Sequence, residues 1–421
     1  MELRPALRDK IEVLTGKGVT FCNPYSVDIG DDVNTGQIAG DGVTIYPGCR
    51  IYGAKTVISA GAQIGREGPV TIEDCQIGPR VELKGGYFSK SVFLARANLG
   101  SGAQVREACI LEEEAGGAHC VGLKQTILFP FVTLGSLVNF CDCLMAGGTS
   151  RKNHSEVGSS YIHFNFTPDG DKTTASLLGD VPRGVMLNQP PIFLGGQGGM
   201  VGPLRMGFGN VVAAGGVLRK DVLADGRLVI PQTPPAKTIE YAPKAYPGLA
   251  RIVRNNFFYL ANLTALEQWY IHVRQSFFQE QEFGGLIFRG ALETLAMATK
   301  ERCKRLEDMG NKLAAPPARS GEPGRREMAA NAAGIRDLLA GFANGAAGQT
   351  GERHKDLFLA GLRKNRQQGA GYIETIQSLP EDTVREGTLW LERIVAGAFR
   401  LLASRVPALE LTNDAAVAAK E

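Results

Sequence analysis

The sequence predicts an all-β solenoid followed by an α-helical C-terminal extension. Three observations lead there. Aliphatic residues recur every six positions between about residues 19 and 222: Ile45, Ile51 and Val57 form one series, Ile58, Ile64 and Val70 another, and Leu99, Val105, Leu111 and Met206, Val212, Leu218 continue the pattern. Small residues follow many of them, as in IGDD, IGRE, IGPR, LGSG and MGFG, within a chain of 53 glycines and 21 prolines. Past residue 246 the spacing turns helical, with Leu249, Ile252, Val253, Leu260, Leu263, Leu266, Tyr270, Val273 and Phe277 in phase.

A six-residue step is too long for one helix face, and its even spacing favours strands. Units this short bury no apolar face alone and must stack. Three steps close a triangular coil, with one aliphatic side chain inward per face. With neighbouring coils about 4.8 Å apart, residues 19–235 should form a rod of about ten coils, on the order of 50 Å long. The rod's open strand edges need covering, and residues 1–18 form a lead-in. The repeat is imperfect in the opening stretch, ELKGGYFSKS (82–91) and ILEEEAGGAH (110–119), where protruding loops are expected. Residues 246–312 read as long amphipathic helices. Their extra aromatics, Phe257, Phe258, Trp269 and Phe278, point to docking on the rod or on another subunit. Residues 313–327 have linker composition, and 328–421, with Val384, Leu391, Val395 and Leu402, read as a small helical bundle.

Composition narrows the function. A net charge of +3 in 421 residues, with no dense basic stripe, argues against nucleic acid. The start, MELRPALRDKIEVL, lacks a signal-peptide core, and no run of about twenty apolar residues is present, so no membrane role is expected. The eight cysteines form no C-x-x-C pair. Cys141 and Cys143 read as one buried and one outward thiol on a strand. A reducing cytoplasm fits this usage.

Residues 143–172, CLMAGGTSRKNHSEVGSSYIHFNFTPDGDK, interrupt the repeat and hold two of the five histidines. Three pieces in order, AGGTSRKNHSEVG (146–158), FNFTPDGDKTTASLLGD (164–180) and MVGPLRMGFGNVVAAGGVLRKDV (200–222), resemble the hexapeptide-repeat acyltransferases. The likeness is to the acetyltransferase domain of the bacterial bifunctional N-acetylglucosamine-1-phosphate uridyltransferase/glucosamine-1-phosphate acetyltransferases. It implies a left-handed parallel β-helix and a homotrimer with sites in the clefts between rods. It further implies acetyl-CoA or another acyl-CoA as co-substrate, and an amino sugar, sugar phosphate or nucleotide sugar such as UDP-N-acetylglucosamine as ligand. That family's other half needs a Gly-rich phosphate loop and magnesium-binding acids. Hexapeptides begin almost at once here, so uridyl transfer is not expected.

Acetyl transfer needs a base for the acceptor's proton, a donor for the thioester oxyanion and a narrow slot. In the family the base is a histidine directly after Ala-Gly; Gly148 stands there in this sequence. Arg151 replaces a substrate-holding tyrosine, and Gly196 a serine near the acyl group. Asn165 and Lys172 match the family's loop asparagine and lysine, the latter suited to a phosphate or carboxylate. Ala214 matches a small residue lining the acyl-CoA slot, and GGQGG (195–199) packs a corner or widens that slot. In YIHFNF, inward Ile162, Phe164 and Phe166 would leave His163 and Asn165 outward, which makes His163 the first candidate base. His154 is the second, in an anion-binding loop with Arg151 and Lys152. His119 lies in a segment expected to protrude, and His272 and His354 read as structural. No metal is expected under this reading. Two alternatives stand beside it: a non-catalytic trimer that binds a sugar nucleotide or organises an assembly, and an interfacial zinc site of γ-carbonic-anhydrase type drawn from His119, His154 and His163.

Overall fold

A computed structural model describes residues 4–314, 323–346 and 351–411. Parts of the expected linker (313–327) and bundle (328–421) therefore lie outside the described residues.

From Thr20 to Val229 the chain winds into a parallel β-solenoid of about eleven coils. Stacked inward residues fill it. On the first face, Ile45, Ile64, Leu83 and Leu99 lie in register, followed by Gly117, Leu134, Val157, Leu194 and Val212. On the second, Ile29, Ile51, Ile72, Phe88, Val105, Leu123 and Phe140 do the same. On the third, the inward ladder is Ile58, Ile77, Phe93, Leu111, Leu128, Met145, Leu178 and Met206.

The corners explain why a six-residue period suffices. Each turns through a residue in the left-handed region, and these residues stack into columns. Asp74, Lys90, Ala108, Gln125 and Asp142 turn from the second face to the third; Arg80, Arg96, Glu114 and Phe131 turn from the third to the first; Cys120, Leu137, Ser160 and Gln197 turn from the first to the second. The strain of such a backbone is about 1–2 kcal/mol for a non-glycine residue. It is offset because each corner N–H donates to a carbonyl one coil below, as Glu114 does to Ala95 and Leu137 to His119.

Two local expectations are corrected. Segments 82–91 and 110–119 do not protrude but hold regular strands, among them Gly86–Ser89 and Ile110–Leu111. The excursions come later: a hairpin at 148–154, a loop at 165–175 and a short helix, Val181–Gly184. Cys141 and Cys143 are both buried, because Asp142 between them takes the corner and sends them to different faces.

Helix Pro5–Lys17 covers the first coil. Leu7, Ile11 and Leu14 are buried there, and Lys10 Nζ donates to the carbonyls of Gly30, Asp31 and Val33. The C-terminal helices lie on the third face. Its outward residues, Val57, Gln76, Val92, Ile110, Ile127, Leu144 and Leu177, are all buried. Helix Gly284–Leu313 packs over strands Gln76–Ile77 and Val92–Phe93, and helix Leu249–Trp269 over Ser176–Leu178.

Polar anchors fix this contact. A π turn, Tyr270–Arg274, aims Tyr270 Oη at Glu112 (2.6 Å) and Arg274 at both oxygens of Glu113 (2.6 and 3.1 Å). Arg302 pairs with Asp142 at 2.7 Å, and Asn256 donates to the Thr173 carbonyl. The aromatic surplus packs inside this arrangement: Phe258 stacks on Phe399, and Trp269 lies among Phe358, Tyr372 and Trp390. Among the described residues no helix is long and apolar enough to cross a membrane.

Candidate functional site

The chain leaves the third face at Ala146 and makes a small antiparallel hairpin, Gly148–Ser150 with Asn153–His154, before entering the first face. Gly147 and Gly148 both have positive φ, 100° and 92°. A Cβ on Gly148 would lie 2.7 Å from His154 Cα and 3.0 Å from Asn153 O. The position after Ala-Gly therefore has no room for a side chain. The residue paired directly with it is His154.

His154 is half-buried and its Nδ1 lies 2.9 Å from the Arg151 carbonyl. That contact places the ring proton on Nδ1 and leaves Nε2 as the basic nitrogen. Nε2 lies 3.6 Å from a Glu156 carboxylate oxygen.

Arg151 anchors the hairpin tip. Its Nη1 donates to the carbonyls of Glu114 (3.0 Å) and Phe131 (2.9 Å) and to Thr133 Oγ1 (2.9 Å). Lys152 is exposed beside it. From the other side, Gln377 Nε2 donates to the Thr149 and Leu187 carbonyls.

Next to Arg151 the first face has a hollow of about 380 Å³, bordered by Lys84, Asn98, His119 and Thr133. It exists because Gly116 and Gly117 stand where other coils carry a side chain outward and an aliphatic one inward. Lys84 pairs with Glu67 at 3.4 Å, and His119 Nδ1 lies 2.8 Å from Ser136 Oγ. The glycine pair in EEEAGGAH is the sequence signal for this hollow, in a segment where a protruding loop is expected.

His163 requires a correction. Ile162, Phe164 and Phe166 are exposed by 42%, 41% and 74%, whereas His163 is 2% exposed. The alternation is as expected but its phase is reversed. His163 lies edge-on to Phe140 and pairs in register with Met200, so it occupies the inward ladder of the second face. Both ring nitrogens are engaged, Nδ1 by the Cys141 carbonyl and Nε2 by Ser176 Oγ at 2.9 Å. Burial drives its pKa down to about 4. A side chain so placed does not face a cleft, so the geometry that recommended it as a base is absent.

The remaining residues stand on other corners. Asn165 is half-buried and the Lys172 side chain exposed, in the loop between the second and third faces. The chain's own extension holds that loop: the Lys172 carbonyl accepts from Arg302, and buried Asp171 accepts from Tyr246 Oη at 2.7 Å. Gly196 and Ala214 sit on stacked corners between the first and second faces. A Cβ on Gly195 would lie 2.4 Å from Ala214 N, and one on Gly196 2.7 Å from Ser159 O, so this edge is bare backbone.

His119, His154 and His163 are likewise separated, so the zinc trio does not assemble within one chain. Among the described residues no group of three side chains could hold a metal ion. His354 pairs with Glu386, and His272 packs edge-on against Trp390.

No family model matches the sequence. Curated relatives do. The bifunctional protein GlmU of Thermotoga maritima is 28% identical over 220 residues, covering 51% of this chain and 42% of that protein. GlmU of Pelobacter propionicus is 30% identical over 218 residues, covering 52% and 42%. The chain thus spans less than half the length of these relatives. Among solved structures, LpxA from Acinetobacter baumannii is 11% identical and covers 49% of this chain and 66% of that one, with a TM-score of 0.17. With the inward ladders of the solenoid and the GlmU matches over about half its length, the chain fits the left-handed β-helix, hexapeptide-repeat acyltransferase superfamily.

Proposed function

We propose that the protein transfers an acyl group from an acyl-CoA, acetyl-CoA in the first instance, to an amino sugar, sugar phosphate or nucleotide sugar, with His154 as the general base. One observation carries this reading: the hairpin pairs His154 with Gly148, the slot in which the resembled family carries its histidine. His154 Nε2 takes the proton from the acceptor amine or hydroxyl as it attacks the thioester carbonyl. The coenzyme's thiolate then leaves and is protonated. The bare backbone at Gly196 and Ala214 suits the pantetheine arm. The hollow beside Arg151, with Lys84 at its border and Lys152 near its rim, suits a phosphate-bearing acceptor.

Within one rod, His154 and Gly158, the coil neighbour of Gly196, lie at opposite edges of the first face, roughly 13 Å apart along the strand. Base and slot then meet only where the edge of one rod lies beside the other edge of the next, as in a parallel homotrimer. Asn165 and Lys172 would enter the same cleft from a neighbouring copy. Cytoplasmic placement is supported by the eight cysteines, all of them free.

A non-catalytic binding role is the second reading. It is favoured by the contacts of Gln377 with Thr149 and of Arg302 with Lys172, through which the extension fixes both loops.

The test is thiol release from acetyl-CoA with a panel of amino sugars, sugar phosphates and nucleotide sugars. His154→Ala should lower turnover by about 100- to 10,000-fold while acetyl-CoA still binds in calorimetry. Failure of acetyl-CoA to bind at millimolar concentration would sink acyl transfer, and wild-type turnover by the variant would sink the role of His154. Sugar-nucleotide binding without thiol release would establish the second reading.

A further inference from the structure

We infer, resting on the reading of His154 as the base, that Gln377 of the C-terminal extension is a positioning residue: it sets the orientation of the hairpin that carries His154. The hairpin needs a hold from outside. Its first strand leaves the third face through Gly147 and Gly148, both at positive φ, and consecutive glycines make the freest joint a backbone offers. Arg151 ties the tip to the carbonyls of Glu114 and Phe131 and to Thr133. A tip held at one point, behind a joint of two glycines, is still free to swing about that point.

Gln377 supplies the second hold. Its Nε2 donates to the Thr149 carbonyl at 2.6 Å and to the Leu187 carbonyl at 3.1 Å. A side-chain amide has two N–H donors, and both are used here. One amide therefore ties the first strand to segment 187–189, where the Gln189 carbonyl accepts from Gly148 N at 3.2 Å. The restraint reaches the second strand in two ways: Asn153 Nδ2 donates to Thr149 Oγ1 at 2.8 Å, and Gly148 pairs with His154. The support behind Gln377 is itself anchored. Gln377 ends the helix Tyr372–Gln377, in which Tyr372, Thr375 and Ile376 are buried. The Tyr372 ring lies 3.7 Å from the Arg274 guanidinium, and its Oη accepts from Trp269 Nε1 at 3.0 Å. Arg274 in turn is bound to Glu113 of the rod. A continuous run of contacts thus leaves the rod at Glu113, crosses the extension and returns to the hairpin at Thr149.

The experiment compares Gln377→Ala and Gln377→Glu with the wild type, all as full-length protein. The glutamate keeps the shape but offers the two carbonyls no donor. Gln377 is exposed, so both variants should keep the far-ultraviolet circular dichroism of the wild type. The first readout is the His154 imidazole in heteronuclear NMR of histidine-labelled protein, assigned with His154→Ala. In the wild type the neutral ring should carry its proton on Nδ1, facing the Arg151 carbonyl, and in both variants the two tautomers should mix. The second readout is thiol release from acetyl-CoA. There kcat should fall about tenfold while KM for acetyl-CoA stays that of the wild type. The NMR arm needs no turnover, so the two readings fail separately. A wild type without thiol release, but with the tautomer change present in the variants, would refute acyl transfer and uphold the hold of Gln377 on the hairpin. A His154 ring that keeps its wild-type tautomer in both folded variants, or a kcat in both equal to that of an active wild type, would overturn the inference.

Discussion

His163 is sealed inside the rod and Glu112 between the rod and the docked helices, and burial pushes each toward its neutral form. For His163 desolvation outweighs the opposing pull of Asp142 and the Cys141 carbonyl, with Arg302 adding to it, and the pKa falls from 6.5 to about 4. For Glu112 desolvation, with Glu113 beside it, outweighs Arg274 and the Tyr270 hydroxyl, and the pKa rises from 4.5 to about 7. Their effects on stability have opposite signs. Between pH 4 and 6.5 the unfolded chain holds more protons at His163 than the folded one, so stability is lost as pH falls through this window. Between pH 4.5 and 7 the folded chain holds more at Glu112, so stability is lost as pH rises. Melting temperatures of His163→Phe and Glu112→Gln across this range, each taken relative to wild type, separate the two. The His163→Phe difference should grow more favourable toward acid, and the Glu112→Gln difference toward neutral pH. Differences that do not change with pH would refute the assignment.

At the scale of elements, the coils are legible in the sequence and the phase of a single strand is not. The six-residue period announced the coils, and Leu99, Val105 and Leu111 do point inward on three successive faces. The period did not set the phase within an isolated strand. At YIHFNF the inward position is decided by stacking on Phe140 and Met200, which lie one coil away, and not by local hydrophobicity. The hairpin that brings His154 to Gly148 was likewise hidden, since no local signal fixes the antiparallel pairing of four residues.

Most third-face strands carry a doublet apolar at both positions, such as Val57–Ile58, Val92–Phe93, Ile110–Leu111 and Leu177–Leu178, and a strand apolar on both sides is covered on both sides. The first face, with Gln63, Glu82, Asn98 and Thr133 outward, has no such cover. Removing residues 246–421 should therefore turn a covered wall into a contiguous apolar patch, with about 1.5–3 kcal/mol lost for each large aliphatic exposed. A chain of residues 1–235 is expected to bind a hydrophobic dye and to aggregate in light scattering. Recovery of a dispersed, dye-negative rod would show that the helices are not needed to cover it.

At the scale of the molecule, the helices occupy one face and leave the other two uncovered. Those two carry exposed apolar residues near the C-terminal end of the rod. Phe193, Val211 and Leu228 stack in register on the first face, 40%, 41% and 69% exposed, and Ile162 and Phe164 stand on the second. These side chains flank the bare corner at Gly196 and Ala214. The residues proposed for acyl transfer, by contrast, are spread over three corners: His154 on one, Gly196 and Ala214 on another, Asn165 and Lys172 on the third. Under the proposed function no single rod closes that site, so acyl transfer is expected to depend on assembly through the first and second faces. Phe193→Asp combined with Val211→Asp places two carboxylates in the exposed ladder without altering an inward residue or a site residue. The double variant should run as a monomer in light scattering, where the wild type is expected to run as a trimer. It should also lose acyl transfer while its far-ultraviolet circular dichroism stays that of the wild type. A wild-type protein that is already monomeric, or a monomeric variant that retains full turnover, would separate function from assembly and place the whole site within one rod.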